Sequence, residues 1–480
     1  MRHWGEECGV VGIAAIHGAA ELASLALHAL QHRGQESAGI TASDGHTLRT
    51  YKKMGMVADI FDEETTHGLR GTYAIGHVRY STSGSSHILN AQPLQVASHR
   101  GSISLAHNGN LVNAPELRLE MEADGSIFST TSDSEVILHL LARSRAIASE
   151  DALIEILPRV KGAYSLLVMT RDKLIAVRDP YGFRPMCLGR YKDSYVVASE
   201  SCAFDILGAR YLRDVEPGEM VILGDGELTS LRLSHKAPEK ACIFEHVYFS
   251  RPDSQVFGNS VEKVRRRSGE ILGREAPADA DLVCAVPDSS NTAALGFSRA
   301  TGIPFELALI RNHYVGRTFI SPAQKVRDMS VRIKFNPVQE VVRGKRVVVI
   351  DDSIVRGTTM RKLVKLIKAA GAKEVHLRIA SPPVTNPCFY GIDTPVRSEL
   401  IASSHTVDEI ATYLRVDSLH YLSREGLMEA AGGQDRYCDA CFTGRYPVSF
   451  GELVDGNVFD TEAEKGRVAV KPMPMAPDGS

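Results

Sequence analysis

No stretch of this 480-residue sequence approaches the run of about 20 apolar residues that a membrane helix needs. The most apolar region, Gly9 to Leu30, is interrupted by His17, Glu21 and His28, so no membrane contact is expected. An export signal is missing too, because Met1 to Glu7 carries two acids and no apolar core. Net positive charge is absent: Lys+Arg 55 against Asp+Glu 58 gives -3, which leaves no global field to gather nucleic acid. The one dense basic cluster, Arg265-Arg266-Arg267, reads as a solvated helix face. Neither GxxxxGK[ST] nor GxGxxG occurs, and there is no internal repeat. A cytoplasmic location is the expectation, where the eight cysteines serve as thiols, metal ligands or nucleophiles and not as a disulfide framework.

What is present is ordinary globular material, 44% hydrophobic and 24% charged, for which two domains are expected. Residues 9–16 read as a buried strand. Leu22, Leu25, Ala26 and Ala29 then follow helical spacing until Arg33-Gly34. Tyr73–Val78, Ser102–Ala106, Ser165–Met169, Leu174–Val177 and Tyr195–Ala198 read as further strands between turns. Past residue 230 the texture changes to strand–helix alternation, with apolar strands at Asp281–Val286 and Lys345–Ile350, as in a parallel sheet. Leu363, Leu366, Ile367 and Ala370 mark a helix face that stops at Gly371. The tail, 461–480, has few large apolar residues and is expected to be disordered.

The second of those late strands runs into Asp351-Asp352-Ser353-Ile354-Val355-Arg356-Gly357-Thr358-Thr359 and then the helix. Free N–H groups at a helix start, with the hydroxyls of Ser353, Thr358 and Thr359, can surround a phosphate that Gly357 lets come close. Asp351 and Asp352 would repel that phosphate, so they suit ribose hydroxyls or a hydrated Mg²⁺ beside it. For any single hydroxyl here, an ordinary helix cap is the competing reading. The block resembles the signature of type I phosphoribosyltransferases, which bind 5-phosphoribosyl 1-pyrophosphate with Mg²⁺. Between Arg311 and Lys334 lie Arg317, Lys325, Arg327 and Arg332. That basic segment reads equally as a solvated loop or as one that closes over a pyrophosphate leaving group.

Cys8 precedes Gly-Val-Val-Gly-Ile and could be a small buried hydrophobe. Three later segments give it a second reading: Gln31-His32-Arg33-Gly34-Gln35-Glu36-Ser37, Gly76-His77-Val78-Arg79-Tyr80, and His107-Asn108-Gly109-Asn110, followed by Ser132-Asp133-Ser134-Glu135. Together they resemble the glutaminase domain of class II glutamine amidotransferases, which are N-terminal nucleophile hydrolases. The resemblance implies cleavage between Glu7 and Cys8. The freed α-amino group, of ordinary pKa about 7.7–8.0, could then act as base for its own thiol. It also implies that Arg79 holds the substrate α-carboxylate, that Asp133 holds its α-ammonium, and that the Asn108 side chain and Gly109 N–H form the oxyanion hole. A Cys–His pairing with His77 or His107 carries less weight, and His107 is expected to order an Asn-Gly turn.

Joined in this order, the two halves resemble the amidophosphoribosyltransferase family from Cys8 to about Pro447. The implied fold is an αββα N-terminal nucleophile hydrolase sandwich (8–235, after a 1–7 propeptide), followed by a doubly wound parallel phosphoribosyltransferase sheet (242–450). The implied reaction is glutamine hydrolysis and transfer of channelled ammonia to 5-phosphoribosyl 1-pyrophosphate, giving 5-phosphoribosylamine, pyrophosphate and glutamate, the committed step of purine synthesis. By the same resemblance Ser289 joins Asp351 and Asp352 around Mg²⁺, purine nucleotides inhibit, and the assembly is a homotetramer.

Cys438-Asp439-Ala440-Cys441 is a CxxC that alone fits a redox pair or half of a zinc site. One subgroup of the family holds a [4Fe-4S] cluster, and its ligand positions match Cys242, Cys388, Cys438 and Cys441. Four thiolates suit a cluster or Zn²⁺, so the iron rests on resemblance. Cys187, Cys202 and Cys284 read as core residues. Two other functions compete. One is a regulatory iron–sulfur protein that binds the phosphoribosyl donor and has a dead glutaminase, which would have no need of Cys8, Arg79, Asn108, Gly109 and Asp133. The other is a nucleobase phosphoribosyltransferase, which would have no need of a glutaminase.

Overall fold

Gly9–Ile13, five consecutive buried residues, can only be satisfied in the middle of a layered structure. The strand pairs antiparallel on both sides, Val11 lying opposite Gly76 of Tyr73–Arg79 and Ala198 of Ser194–Ala198. In the computed structural model, which describes residues 8–80, 87–99, 101–224, 226–233, 237–312, 333–394, 396–433 and 435–448, it is the fourth strand of a seven-stranded sheet. A six-stranded antiparallel sheet, with Lys173–Arg178 and Gly162–Met169 at its centre and Gly101–Leu111 next to the latter, faces it. Val10, Ile75 and Val197 from the first sheet and Ala106, Leu167 and Ala176 from the second fill the space between. Helices Ala19–Ala29 and Cys202–Leu207 cover one outer face, and Ala114–Ala123, Glu135–Arg143 and Ser149–Ile156 the other. The result is an αββα sandwich.

The second half is built on four parallel strands in the order Leu282–Ala285, Arg346–Asp351, Glu374–Ile379, Ser418–Tyr421. Their side chains alternate between two cores. Val283, Ala285, Val348 and Ile350 meet helices Val261–Glu275 and Asn291–Thr301, while Leu282, Cys284, Val347 and Val349 meet Thr358–Ala369 and Val407–Leu414. This is the doubly wound arrangement, and the whole is a two-domain α/β fold. The leader 1–7, Arg317, Lys325, Arg327, Arg332 and the tail 461–480 lie outside the described residues.

Three local expectations change. In helix Ala19–Ala29 the buried stripe is Ala19, Ala20, Ala23, Ala26 and Leu27, whereas Leu25 is 46% exposed. Ala26 and Ala29 are buried as expected, and Leu27 is buried among the alanines, so side-chain size does not separate the inner Leu27 from the outer Leu25. Arg265 is buried and donates to the carbonyls of His246 and Ser250, both at 2.8 Å. Only Arg266 and Arg267 reach out, to Glu262 and Glu429. Asn108-Gly109 is no turn: both residues lie within the strand Gly101–Leu111, opposite Ser165 and Tyr164.

Candidate active sites

Cys8 sits at the mouth of the central strand, buried, its Sγ donating to the Tyr80 carbonyl at 3.5 Å. Burial pushes the thiol up to about 11, against the downward pull of that hydrogen bond and of the Arg79 guanidinium, so it is neutral near pH 7 and a base has to take its proton. Glu36, Arg79 and Asp133 all act on this thiol through their charges, which gathers three separate sequence segments around one sulfur. Arg79 is buried and its Nη1 donates to Glu36 Oε1 at 2.5 Å. Asp133 accepts the Leu111 N–H at 2.9 Å and the Ser134 hydroxyl at 3.2 Å. His77 donates from Nε2 to the His107 carbonyl at 3.0 Å, and burial pushes its pKa down to about 3. Burial lowers His107 as well. Neither ring is placed as the thiol's base: His107 is held by Ser134 Oγ at 2.9 Å and the Ala163 carbonyl at 3.3 Å.

Asn108 and Gly109 are held from both sides. Asn108 Nδ2 donates to Ser199 Oγ at 3.4 Å, and the same oxygen accepts the Val10 N–H at 3.0 Å, two residues from the nucleophile. Gly109 has φ +150°, and a Cβ there would lie 2.1 Å from the Ala163 carbonyl oxygen, so only glycine fits. Residues 388–391 of the second half press on this strand. Asn110 Nδ2 donates to the Phe389 carbonyl at 3.0 Å, and a Cβ on Gly391 would come within 3.0 Å of the Gly109 backbone.

At the other site, strand Arg346–Asp351 ends in two carboxylates, and Gly357 (φ +69°) opens helix Thr358–Ala369. Asp352 Oδ2 accepts the Ser289 hydroxyl at 2.5 Å, its Oδ1 the Ser353 hydroxyl at 2.6 Å, and Asp351 Oδ1 the Ser290 hydroxyl at 3.1 Å. Burial first, and then Asp352 beside it, pushes Asp351 well above the usual carboxylate range; burial also raises Asp352. Two buried carboxylates with neutral hydroxyl partners suit a divalent cation. Thr358 and Thr359 stand half-buried in the first helical turn. Lys334 is half-buried, and its carbonyl accepts the Asn312 N–H at 2.8 Å.

The four cysteines converge although they come from three segments. Ala241-Cys242 pairs in parallel with Tyr437-Cys438, which puts Cys242 beside Cys438, and Cys388 Sγ accepts the Tyr390 N–H at 3.3 Å. Burial raises the Cys441 thiol well above its ordinary value, and Cys242, Cys438 and Cys388 push it further. Among the described residues no three His, Cys, Asp or Glu side chains stand in ready metal-binding geometry. Burial keeps the Cys438 and Cys441 thiols protonated, and Arg184 favours the thiolate at Cys438; four such sulfurs drawn together match what a cluster or Zn²⁺ would neutralise. Cys187, Cys202 and Cys284 are buried core residues.

Residues 77–205 match the glutamine amidotransferase domain family and residues 258–380 the phosphoribosyl transferase domain family. The amidophosphoribosyltransferase of Archaeoglobus fulgidus is 52% identical over 451 residues, covering 92% of this chain and 98% of that protein. The chain belongs to the amidophosphoribosyltransferase family. The amidophosphoribosyltransferase of Bacillus subtilis is 50% identical over 449 residues, covering 92% of this chain and 94% of that one. The solved B. subtilis glutamine phosphoribosylpyrophosphate amidotransferase, complexed with ADP and GMP, superposes with a TM-score of 0.89 at 49% identity over 93% of this chain and 98% of that one. Members of this amidophosphoribosyltransferase family are pentosyltransferases. No described helix is long and apolar enough to cross a membrane.

Glu36 lies inside the Gln31 to Ser37 segment without a role assigned to it there, and neither Ser290 nor Ser199 has one. A carboxylate three residues after Arg33, in a segment already singled out, was a usable signal. Ser199 offered none.

Proposed function

We propose that Cys8, freed from its seven-residue leader, hydrolyses glutamine, and that the ammonia passes inside the molecule to C1 of 5-phosphoribosyl 1-pyrophosphate. The products are 5-phosphoribosylamine, pyrophosphate and glutamate. The observation that carries this reading is the gathering of Arg79, Glu36 and Asp133 around a buried thiol at the head of a central strand, in a chain of this family. The α-amino group takes the thiol proton and returns it to the leaving ammonia. Arg79 and Asp133 hold the two ends of the amino acid, and Asn108 with the Gly109 N–H receives the developing oxyanion. At the second site Gly357, Ser353, Thr358 and Thr359 cradle the 5-phosphate, while Arg317, Lys325 and Lys334 meet the pyrophosphate. Ser289, Asp351 and Asp352 would hold Mg²⁺, which would supply positive charge for the departing pyrophosphate. Free ammonia in water near pH 7 is mostly ammonium, which lacks the attacking lone pair. A closed passage keeps it reactive, and binding of the phosphoribosyl donor turns the glutaminase on.

Cys242, Cys388, Cys438 and Cys441 hold a [4Fe-4S] cluster that clamps the C-terminal segment to the core and takes no part in either reaction. Purine nucleotides inhibit, in keeping with the ADP and GMP bound by the B. subtilis protein. The assembly is a homotetramer in the cytoplasm. Cys8→Ala is the central test: glutamine-dependent synthesis should vanish while synthesis from high ammonia persists. Equal loss of both would break the two-site scheme, as would mass spectrometry that finds the leader intact on fully active protein.

A further inference from the structure

Behind Cys8, charged side chains from both halves meet almost without water. Arg33 is 1% exposed, and Arg184, Glu200 and Glu245 are fully buried. Arg33 Nε donates to the Cys8 carbonyl at 3.0 Å. Its Nη1 donates to Glu200 Oε1 at 2.5 Å and to Glu245 Oε2 at 3.0 Å, and its Nη2 to Glu245 Oε1 at 2.7 Å. Arg184 Nη1 reaches Glu245 Oε1 at 3.4 Å, and the Ser250 hydroxyl donates to Glu245 Oε2 at 2.6 Å. Two guanidinium groups thus face two carboxylates, which is what allows all four to be buried. Three of the four belong to the sandwich. Glu245 alone comes from the second half, on the π-helical turn Glu245–Phe249.

We propose that Glu245 is a positioning residue for the glutaminase nucleophile, acting through Arg33 on the Cys8 backbone. A guanidinium held by one carboxylate can turn about its stem; the forked grip of Glu245 fixes its plane and so the direction of the Nε–H. That N–H holds the carbonyl of the residue that carries the reacting sulfur, which sets the thiol against Asn108 and Gly109. Three residues along the same turn, Tyr248 lies within the electrostatic reach of Asp351 and Asp352. One turn of the second half therefore meets the first site by contact and the second through charge alone. The inference rests on Cys8 being the glutaminase nucleophile.

The test uses full-length Glu245→Gln and Ser250→Ala. The first removes the charge at nearly constant volume; the second removes only the hydroxyl that donates to the carboxylate and spares the ion pairs. For Glu245→Gln, kcat for glutamine hydrolysis should fall about 10–100-fold with KM for glutamine within about twofold, in line with the cost of a misplacement of about 1 Å. The rate at which a glutamine-like diazoketone alkylates Cys8 should fall in parallel, while synthesis from ammonia stays as in the parent. Ser250→Ala should shift the same two glutamine readouts in the same direction by a smaller factor, and it keeps the test alive if Glu245→Gln does not fold. Parental hydrolysis and alkylation rates in a folded Glu245→Gln protein would overturn the proposal. So would a matching loss of ammonia-dependent synthesis, which would mark Glu245 as merely structural. Failure of the underlying reading is distinct: the parent protein would then hydrolyse glutamine equally well with Cys8→Ala.

Discussion

Ser199 serves two donors with one oxygen, the Val10 N–H two residues from Cys8 and the Asn108 amide proposed for the oxyanion hole. It is fully buried, so no water stands ready to replace it. Ser199→Ala should lower kcat for glutamine roughly 10-fold, less than the 10²–10³ that loss of a whole oxyanion donor costs, because Asn108 stays but loses its aim. Synthesis from ammonia should be untouched, and denaturant titration should show a loss of about 1–2 kcal/mol for the abandoned N–H. The contrast with Cys8 shows what a sequence makes legible at this scale. Cys8, Arg79 and Asp133 carry reactive or charged groups whose chemistry suggests a role before any neighbour is known. Ser199 and Glu245 have roles only through what they touch, and their partners lie far away along the chain, at Val10, Asn108 and Arg33.

The strand Arg346–Asp351, its loop and the helix Thr358–Ala369 form the element read most completely from sequence. A continuous apolar run ends at paired acids, and a period-3.6 face begins after a glycine. The helix Ala19–Ala29 was less legible because its inner face is alanine, which carries little periodic signal. Arg265 misled for the opposite reason: a long cation in a basic triplet looks solvated until its guanidinium is seen capping two buried carbonyls. The acidic pair gives a sharp expectation. Because burial raises the folded pKa of Asp351, ionisation costs stability once pH climbs past the unfolded value of about 3.9, and the penalty is in force at pH 7 without a cation. Asp351→Asn should therefore raise the metal-free unfolding free energy by on the order of 1 kcal/mol. It should also abolish the thermal shift expected from Mg²⁺ in the parent and abolish phosphoribosyl transfer. Scanning calorimetry with and without Mg²⁺ reads the first two effects; a destabilised variant would refute the account.

At the level of the whole molecule, the parallel sheet was legible from strand–helix alternation and the sandwich only through the family resemblance, but their joint from neither. No local pattern announces that Asn110 will bond Phe389, that Gly109 will lie on Gly391, or that Arg33 will grip Glu245. The Cys388 segment lies at this joint, with the Arg184 guanidinium donating to the Tyr390 carbonyl at 2.8 Å and the Phe183 and Tyr390 rings stacked 4.3 Å apart. If the proposed cluster fastens this joint, removing its iron with a chelator should lower the thermal midpoint by several degrees or more and depress glutaminase turnover along with it. A cluster-free protein with an unchanged melting curve would contradict the clamp.

The pairing of Cys242 with Cys438 also bears on how the protein is made. These partners stand at opposite ends of the second half, so the four-thiol pocket cannot form until the turn Ala440–Thr443 has left the ribosome. For nearly all of its synthesis the nascent chain carries Cys242 and then Cys388 with their companions still unmade. A translation arrest short of residue 438 would release a polypeptide with a finished glutaminase sandwich and an unfastened second half, a natural substrate for proteolytic clearance.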